Sequence, residues 1–223
     1  MGSFTIASKK VLTLVLVIDK TEQKILLGYK KRGFGAHLWN GFGGKVEPGE
    51  TTREGALREL EEEAGITVKS EDFNKAGILL FQFENDPVAL ETHVYKTYKY
   101  QGQIRECEEM RPQWFTFTDI PYDQMWEDDR IWLPMVLNGQ DPFYGRVYLK
   151  RKPVEDIKED EAPVVNTSTS THANHSTTMT ETSFTTSQPK SGPFVLWDYQ
   201  IEHSLQGVPR EVALDGTIAS FES

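Results

Sequence analysis

The apolar positions of this chain fall in short runs, and most of them carry the signature of a β-strand. Val11–Ile18 is apolar at every position but Thr13, the pattern of a strand buried on both faces. It is too short to span a bilayer, and no small-residue cleavage site follows it, so it reads as a strand rather than a signal peptide. Lys24–Tyr29 is a second β-rich run, and Asp19-Lys20-Thr21-Glu22-Gln23 between the two is a hairpin-like connection. Further strands are predicted at Ile78–Phe83, Thr92–Tyr98, Trp114–Thr118 and Phe143–Lys150, with turn signals at Asn85-Asp86-Pro87 and Ile120-Pro121.

Residues 52–64 carry the helical period instead. Thr51 and Glu54 form a capping box, and Gly65 is a natural stop. Ala56, Leu57, Leu60 and Ala64 share one apolar arc, while Glu59, Glu62 and Glu63 fall on the neighbouring arc. Such a helix docks by one face and presents three carboxylates along an edge. A second helix opens at Asp128-Asp129 and runs through Ile131, Trp132, Met135 and Val136 to Asn138-Gly139, with Pro134 in its early turns or at a kink.

The pattern then breaks. From Glu155 to Gly192 the chain is acidic and then rich in Ser, Thr and Asn, and such a segment buries too little apolar surface to offset its ordering entropy. Phe194–Ile201 is strand-like again. The expected organisation is one domain over residues 1–154, a disordered insert over 155–192, and a strand within 193–223 that completes the domain and leads into a tail.

Charge and cysteine content narrow the function. A net charge of −10 argues against gripping a nucleic acid polymer, although a bound cation reverses the local sign for a nucleotide. The lone Cys107 forms no internal disulfide and favours a reducing compartment. The expectation is a cytoplasmic protein without membrane partners, monomeric, with the nuclear or mitochondrial nucleotide pool as alternatives.

The glycines of Trp39-Asn40-Gly41-Phe42-Gly43-Gly44-Lys45 match neither a P-loop, since Val46 follows Lys45, nor a dinucleotide fingerprint. They suit positive φ angles and close backbone approach. A solvated acidic face is the plain alternative for the Glu-rich helix. Glu50 ahead of it and the downstream cluster Glu106-Cys107-Glu108-Glu109 point instead to hard oxygen ligands for Mg²⁺ or Mn²⁺. His172 and His175 lack any supporting zinc ligands.

Gly44, Glu50, Arg58, Glu59-Leu60, Glu62-Glu63 and Gly65-Ile66 together resemble a complete Nudix box. The resemblance implies an α/β fold with a mixed β-sheet sandwiched between helices and a loop–helix–loop as catalytic element. It implies Mg²⁺-dependent hydrolysis of a nucleoside diphosphate linked to another group. Glu59, Glu62 and Glu63 are then metal ligands or general base, the Gly43 carbonyl joins the metal shell, Arg58 orients the carboxylates and Glu50 supports the loop.

The likeness extends to Lys30–Gly35, Trp39–Lys45, Glu109–Pro112, Met125-Trp126 and Asp128-Asp129, which resemble animal members that act on oxidised purine nucleoside triphosphates of the 8-oxo-dGTP and 2-hydroxy-dATP type. In that light Glu109 is an extra metal-proximal carboxylate. Thr13, Lys30, Asn40, Phe42, Gly43, Gly44, Lys45, Phe81, Trp126, Asp128 and Asp129 are substrate contacts, with Phe34 and Phe83 as further lining. Asn40 offers donor and acceptor, Trp126 a stacking face, and the paired aspartates one shared proton. Trp126 as core and Asp128 as a helix cap are the plain alternatives. Methylated purine nucleotides or nucleoside diphosphate sugars stay open as substrates, as does a non-catalytic binding module, although no box carboxylate is missing.

Overall fold

The computed structural model describes residues 4–151 and 194–202. The predicted insert at 155–192, with His172 and His175, lies outside them, as does the tail from residue 203. In chain order the strands are β1 (Ser8–Asp19), β2 (Lys24–Lys30), β3 (Trp39–Asn40), β4 (Ile66–Thr67), β5 (Phe73–Phe83), β6 (Val88–Thr97), β7 (Gln101–Gly102), β8 (Met110–Thr116), β9 (Phe143–Arg151) and β10 (Phe194–Glu202). The helices α1 (Thr52–Ala64) and α2 (Asp129–Leu137) follow β3 and β8.

Eight of these strands form one mixed sheet in the order β10-β9-β5-β6-β1-β2-β3, with β8 also paired to β2. β1 and β2 form the expected antiparallel hairpin, while β1–β6 and β5–β9 are parallel. Alternation along β1 shows how the two faces are filled. Leu14, Leu16 and Ile18 join a core cluster with Trp132, Leu133 and Val136 of α2, whereas Val15 and Val17 join Ala56, Leu60 and Ala64 of α1. A strand inside a sheet with a helix on either face must be apolar on both sides, which is why Val11–Ile18 reads as a continuous run. The mixed sheet between helices is therefore the fold expected from the sequence.

α1 begins and ends where its caps require. Thr51 Oγ1 accepts the Glu54 N–H at 3.2 Å and Glu54 Oε2 accepts the Thr51 N–H at 2.7 Å. Gly65 takes φ +73° and returns its N–H to the Glu61 carbonyl. In α2, Pro134 sits inside the helix, where burial of Trp132, Leu133 and Val136 holds a segment that propensity alone would interrupt. The short strands β3, β4 and β7 carry too little pattern to be seen in the sequence.

Candidate active site

α1 lies against β1 with the 41–50 loop packed between its acidic edge and the sheet, and two glycines of that loop sit where a side chain finds little room. A Cβ at Gly43 would sit 2.1 Å from the Thr13 carbonyl oxygen, and one at Gly44 would meet Glu59 Oε1 at 2.5 Å. Gly43 is thus required by close approach to backbone, whereas a side chain at Gly44 would displace the Glu59 carboxylate; the Gly43 N–H donates to Glu63 Oε2 at 2.8 Å.

Arg58 organises the carboxylates. Its guanidinium donates to Glu50 Oε1 at 2.8 Å, to Glu59 Oε1 at 2.9 Å, to Glu62 Oε2 at 3.3 Å and to the Lys45 carbonyl at 3.1 Å. The hydrogen bonds from Arg58 hold the Glu50 carboxyl below its ordinary value, and Glu50 and Glu59 in turn raise Arg58. Glu63 is buried, and burial pushes its carboxyl up to about 8 against the opposing pull of the Gly43 N–H and Lys30. Burial also raises Glu59, with Glu62 and Glu109 adding repulsion. Across the loop, Lys30 Nζ lies 2.7 Å from Glu109 Oε1 and 3.9 Å from Glu63 Oε1.

Lys30, Lys45, Arg58, Glu59, Glu62 and Glu109 border a cavity of about 590 Å³, whose other end is aromatic and contains two buried acids. Trp126, Phe81, Phe83 and Phe34 line it, and Phe34 stacks on Trp126 with ring centroids 5.2 Å apart. Asn40 lines the same cavity, its Oδ1 accepting the Gly41 N–H at 2.9 Å, which leaves its amide NH₂ as a donor. Asp128 Oδ2 accepts the Trp132 indole N–H at 3.0 Å, while Oδ1 is buried with no partner. Asp129 Oδ2 accepts the Trp126 backbone N–H at 3.1 Å. Burial raises Asp128 to about 6, and burial with the neighbouring Asp128 charge raises Asp129 well above its ordinary value.

This pair makes stability depend on pH in a definite direction. Both folded values lie above the unfolded one, so the stabilisation is complete below about pH 4 and is lost as pH rises through 6 and beyond. Asp129→Asn should flatten that loss, retaining roughly 1–3 kcal/mol more stability than the parent at pH 8 relative to pH 4.5. Urea unfolding at the two pH values checks this; parallel losses in both proteins would reject it.

The structure brings Thr13, Lys30, Asn40, Gly43, Gly44, Lys45, Arg58, Glu59, Glu62, Phe81, Glu109, Trp126, Asp128 and Asp129 to one cavity. Two residues sit elsewhere. Phe42 is fully buried in the cluster beneath α1 and does not line the cavity, because β-like alternation from Gly41 to Gly43 turns it to the other face. Glu63 lies behind the cavity wall, held by Gly43. Asp128 does not cap α2 with its side chain; it bonds Trp132 instead, a partner readable from the i,i+4 spacing. Leu79, Leu90, Thr92 and Leu149 also line the cavity, and only the sheet order reveals that.

Among the described residues no three acidic, His or Cys side chains already converge as a metal cluster; Arg58 and Lys30 hold the carboxylates. No described helix is long and apolar enough to cross a membrane.

A profile of the NUDIX domain matches residues 9–136. The chain belongs to the Nudix family of hydrolases. Nudix hydrolases generally use divalent metals. Among curated proteins, the chain is 41% identical over 157 residues to the oxidized purine nucleoside triphosphate hydrolase of Danio rerio, covering 68% of this chain and 98% of that protein. The mouse (Mus musculus) protein of the same name is 46% identical over 131 residues, covering 59% and 81%. Among solved structures, a MutT protein from Bacillus halodurans superposes with a TM-score of 0.55 at 25% identity, covering 62% of this Nudix chain and 89% of that one.

Proposed function

We propose that this Nudix hydrolase cleaves oxidised purine nucleoside triphosphates, of the 8-oxo-dGTP and 2-hydroxy-dATP type, to monophosphate and pyrophosphate. The observation that carries the reading is one cavity with two chemically distinct ends. Carboxylates and Lys30 border one end, and Trp126 with two buried aspartates borders the other. The named activity of the zebrafish and mouse relatives supports the same substrate class.

The donor set fits a hard divalent cation. Burial and mutual repulsion raise Glu59 and Glu63, and a cation relieves both penalties. Glu59, Glu62, Glu63, Glu109 and the Gly43 carbonyl would hold Mg²⁺, with Mn²⁺ as a substitute. When bound, such an ion offsets phosphate charge and lowers the pKa of coordinated water.

The chain's own residues supply the rest. Arg58 grips Glu50 through the fork of Nε and Nη2 and holds the Glu59 and Glu62 carboxylates through Nη1. Lys30 places a positive charge beside Glu109, where a triphosphate oxygen can take it. At the other end Trp126 offers a face to the purine. Asp128 Oδ1 has no partner in the cavity wall, so a ligand N–H satisfies a buried acceptor that is otherwise costly. With both aspartates raised, one keeps its proton and donates beside an acceptor. Oxidation at C8 turns N7 of a purine from acceptor to donor, and a shared proton lets the pair match either edge. The acidic chain acts on free nucleotides rather than a polymer, and its single cysteine suits the cytoplasm.

Parallel kcat/KM measurements with Mg²⁺ on 8-oxo-dGTP, 2-hydroxy-dATP, dGTP and ADP-ribose test the assignment. The oxidised purines should exceed dGTP by at least about 10-fold, the discrimination expected of one buried polar mismatch. Preference for dGTP or ADP-ribose would overturn it.

A further inference from the structure

The residue between the two cavity-lining positions Trp126 and Asp128 faces away from the cavity. Glu127 lines a separate shallow depression together with Tyr122, Met125, Arg130 and Leu196. Its Oε2 accepts the backbone N–H of Leu196, on β10, at 2.8 Å. β10 is the edge strand of the sheet, and an edge strand presents amides that no neighbouring strand can take. One of these is taken by a carboxylate from the loop that carries the base-facing residues.

The bond sits at a defined irregularity. The β9–β10 register shifts between Leu196 and Asp198, leaving Trp197 as the extra residue, exposed on the outside beneath Lys150. Phe194 and Leu196, two apart, pack against the core cluster on the cavity's side of the sheet. The Phe194 ring lies 4.8 Å from that of Phe83 and 6.4 Å from that of Phe34. Phe83 and Phe34 line the cavity, and Phe34 stacks on Trp126. The start of β10 therefore backs two lining aromatics, and Glu127 ties that start to the turn bearing Trp126, Asp128 and Asp129.

We infer that Glu127 is a positioning residue for base recognition, locking the first residues of β10 to the 126–129 turn so that Phe194 supports the aromatic end of the cavity. Binding geometry thereby depends on a strand that joins the sheet only after residue 193. The inference rests on reading the cavity as a nucleobase pocket. Neither Glu127 nor Phe194 touches the carboxylate end, so the chemical step should be insensitive to both.

Steady-state kinetics of pyrophosphate release from 8-oxo-dGTP with Mg²⁺ decide the matter. Glu127→Ala should raise KM about 10-fold, the size of one charge-assisted hydrogen bond, with kcat within about twofold. Glu127→Gln, whose carbonyl oxygen accepts the same N–H, should stay within about twofold of the parent in KM. Phe194→Ala should also raise KM, and the double variant should be no worse than the worse single one, as expected of residues acting through one contact. Unchanged KM in Glu127→Ala, a fall in kcat alone, equal impairment of Glu127→Gln, or additive effects in the double variant would each overturn the inference. If the parent cleaved only another nucleotide of the panel, the substrate reading would fall. The same comparison on that nucleotide would still judge Glu127.

Discussion

Replacing Glu62 by Gln is expected to lower kcat for pyrophosphate release by about 10³-fold or more while leaving the fold intact. The Glu62 side chain is 60% exposed, and its recorded ion pair is the i,i+4 contact with Arg58 at 3.3 Å. Exposed pairs of this kind contribute under about 1 kcal/mol, so unfolding cannot explain a large loss. A carboxylate that holds a cation or takes a proton from water contributes about 10²–10⁴-fold, and Gln matches its shape without its charge. Glu63→Gln separates charge from structure in the opposite setting. Gln can still accept the Gly43 N–H, and removing a buried acid whose carboxyl sits at about 8 should stabilise the metal-free protein above that pH while turnover collapses. Thermal unfolding beside steady-state kinetics reads both. Full activity of either variant with saturating Mg²⁺ would sink the proposed roles.

Asp128→Asn should act on recognition rather than on chemistry. Asn can keep its oxygen on the Trp132 indole N–H and so preserve the helix contact. It then presents an NH₂ where Oδ1 now lies buried and unpartnered, a donor where the purine edge needs an acceptor. An unmet buried polar group costs about 1–3 kcal/mol, so kcat/KM for 8-oxo-dGTP should fall roughly 10- to 100-fold. Trp126→Ala should lose a similar amount, about 1–3 kcal/mol for one stacked base. The two losses should appear in KM, with kcat far less affected, because neither residue lies among the carboxylates. A kcat defect at unchanged KM in both variants would place the base elsewhere.

The reach of the sequence can be judged residue by residue. α1 was legible to its ends, because the Thr51–Glu54 box and Gly65 are local signals acting through backbone hydrogen bonds within a few residues. The long strands were legible in outline, although β5, β6 and β8 begin four or five residues ahead of the predicted runs, and the acidic edge of α1 was legible for the same reason: periods of 2 and 3.6 are properties of neighbouring positions. Phe42 shows the boundary. Its type and its place among glycines match a pocket residue, yet which face of the sheet it occupies depends on bridges with β1, a pairing between distant segments. Glu63 was legible as part of the acidic edge of α1 but not as a buried side chain, because the depth of a helical side chain depends on what covers it.

By itself, then, the sequence determined the long strands in outline, the two helices, the acidic edge of α1 and the family that a spaced motif encodes. Tertiary structure alone decided that Thr13, Asn40, Phe81 and Trp126 face one cavity, that Asp128 Oδ1 is left without a partner, and that Glu127 reaches Leu196 across the chain. The physical reason is common to all three. Burial, desolvation and long-range pairing are set by segments far apart in sequence, and no local period records which of them meet.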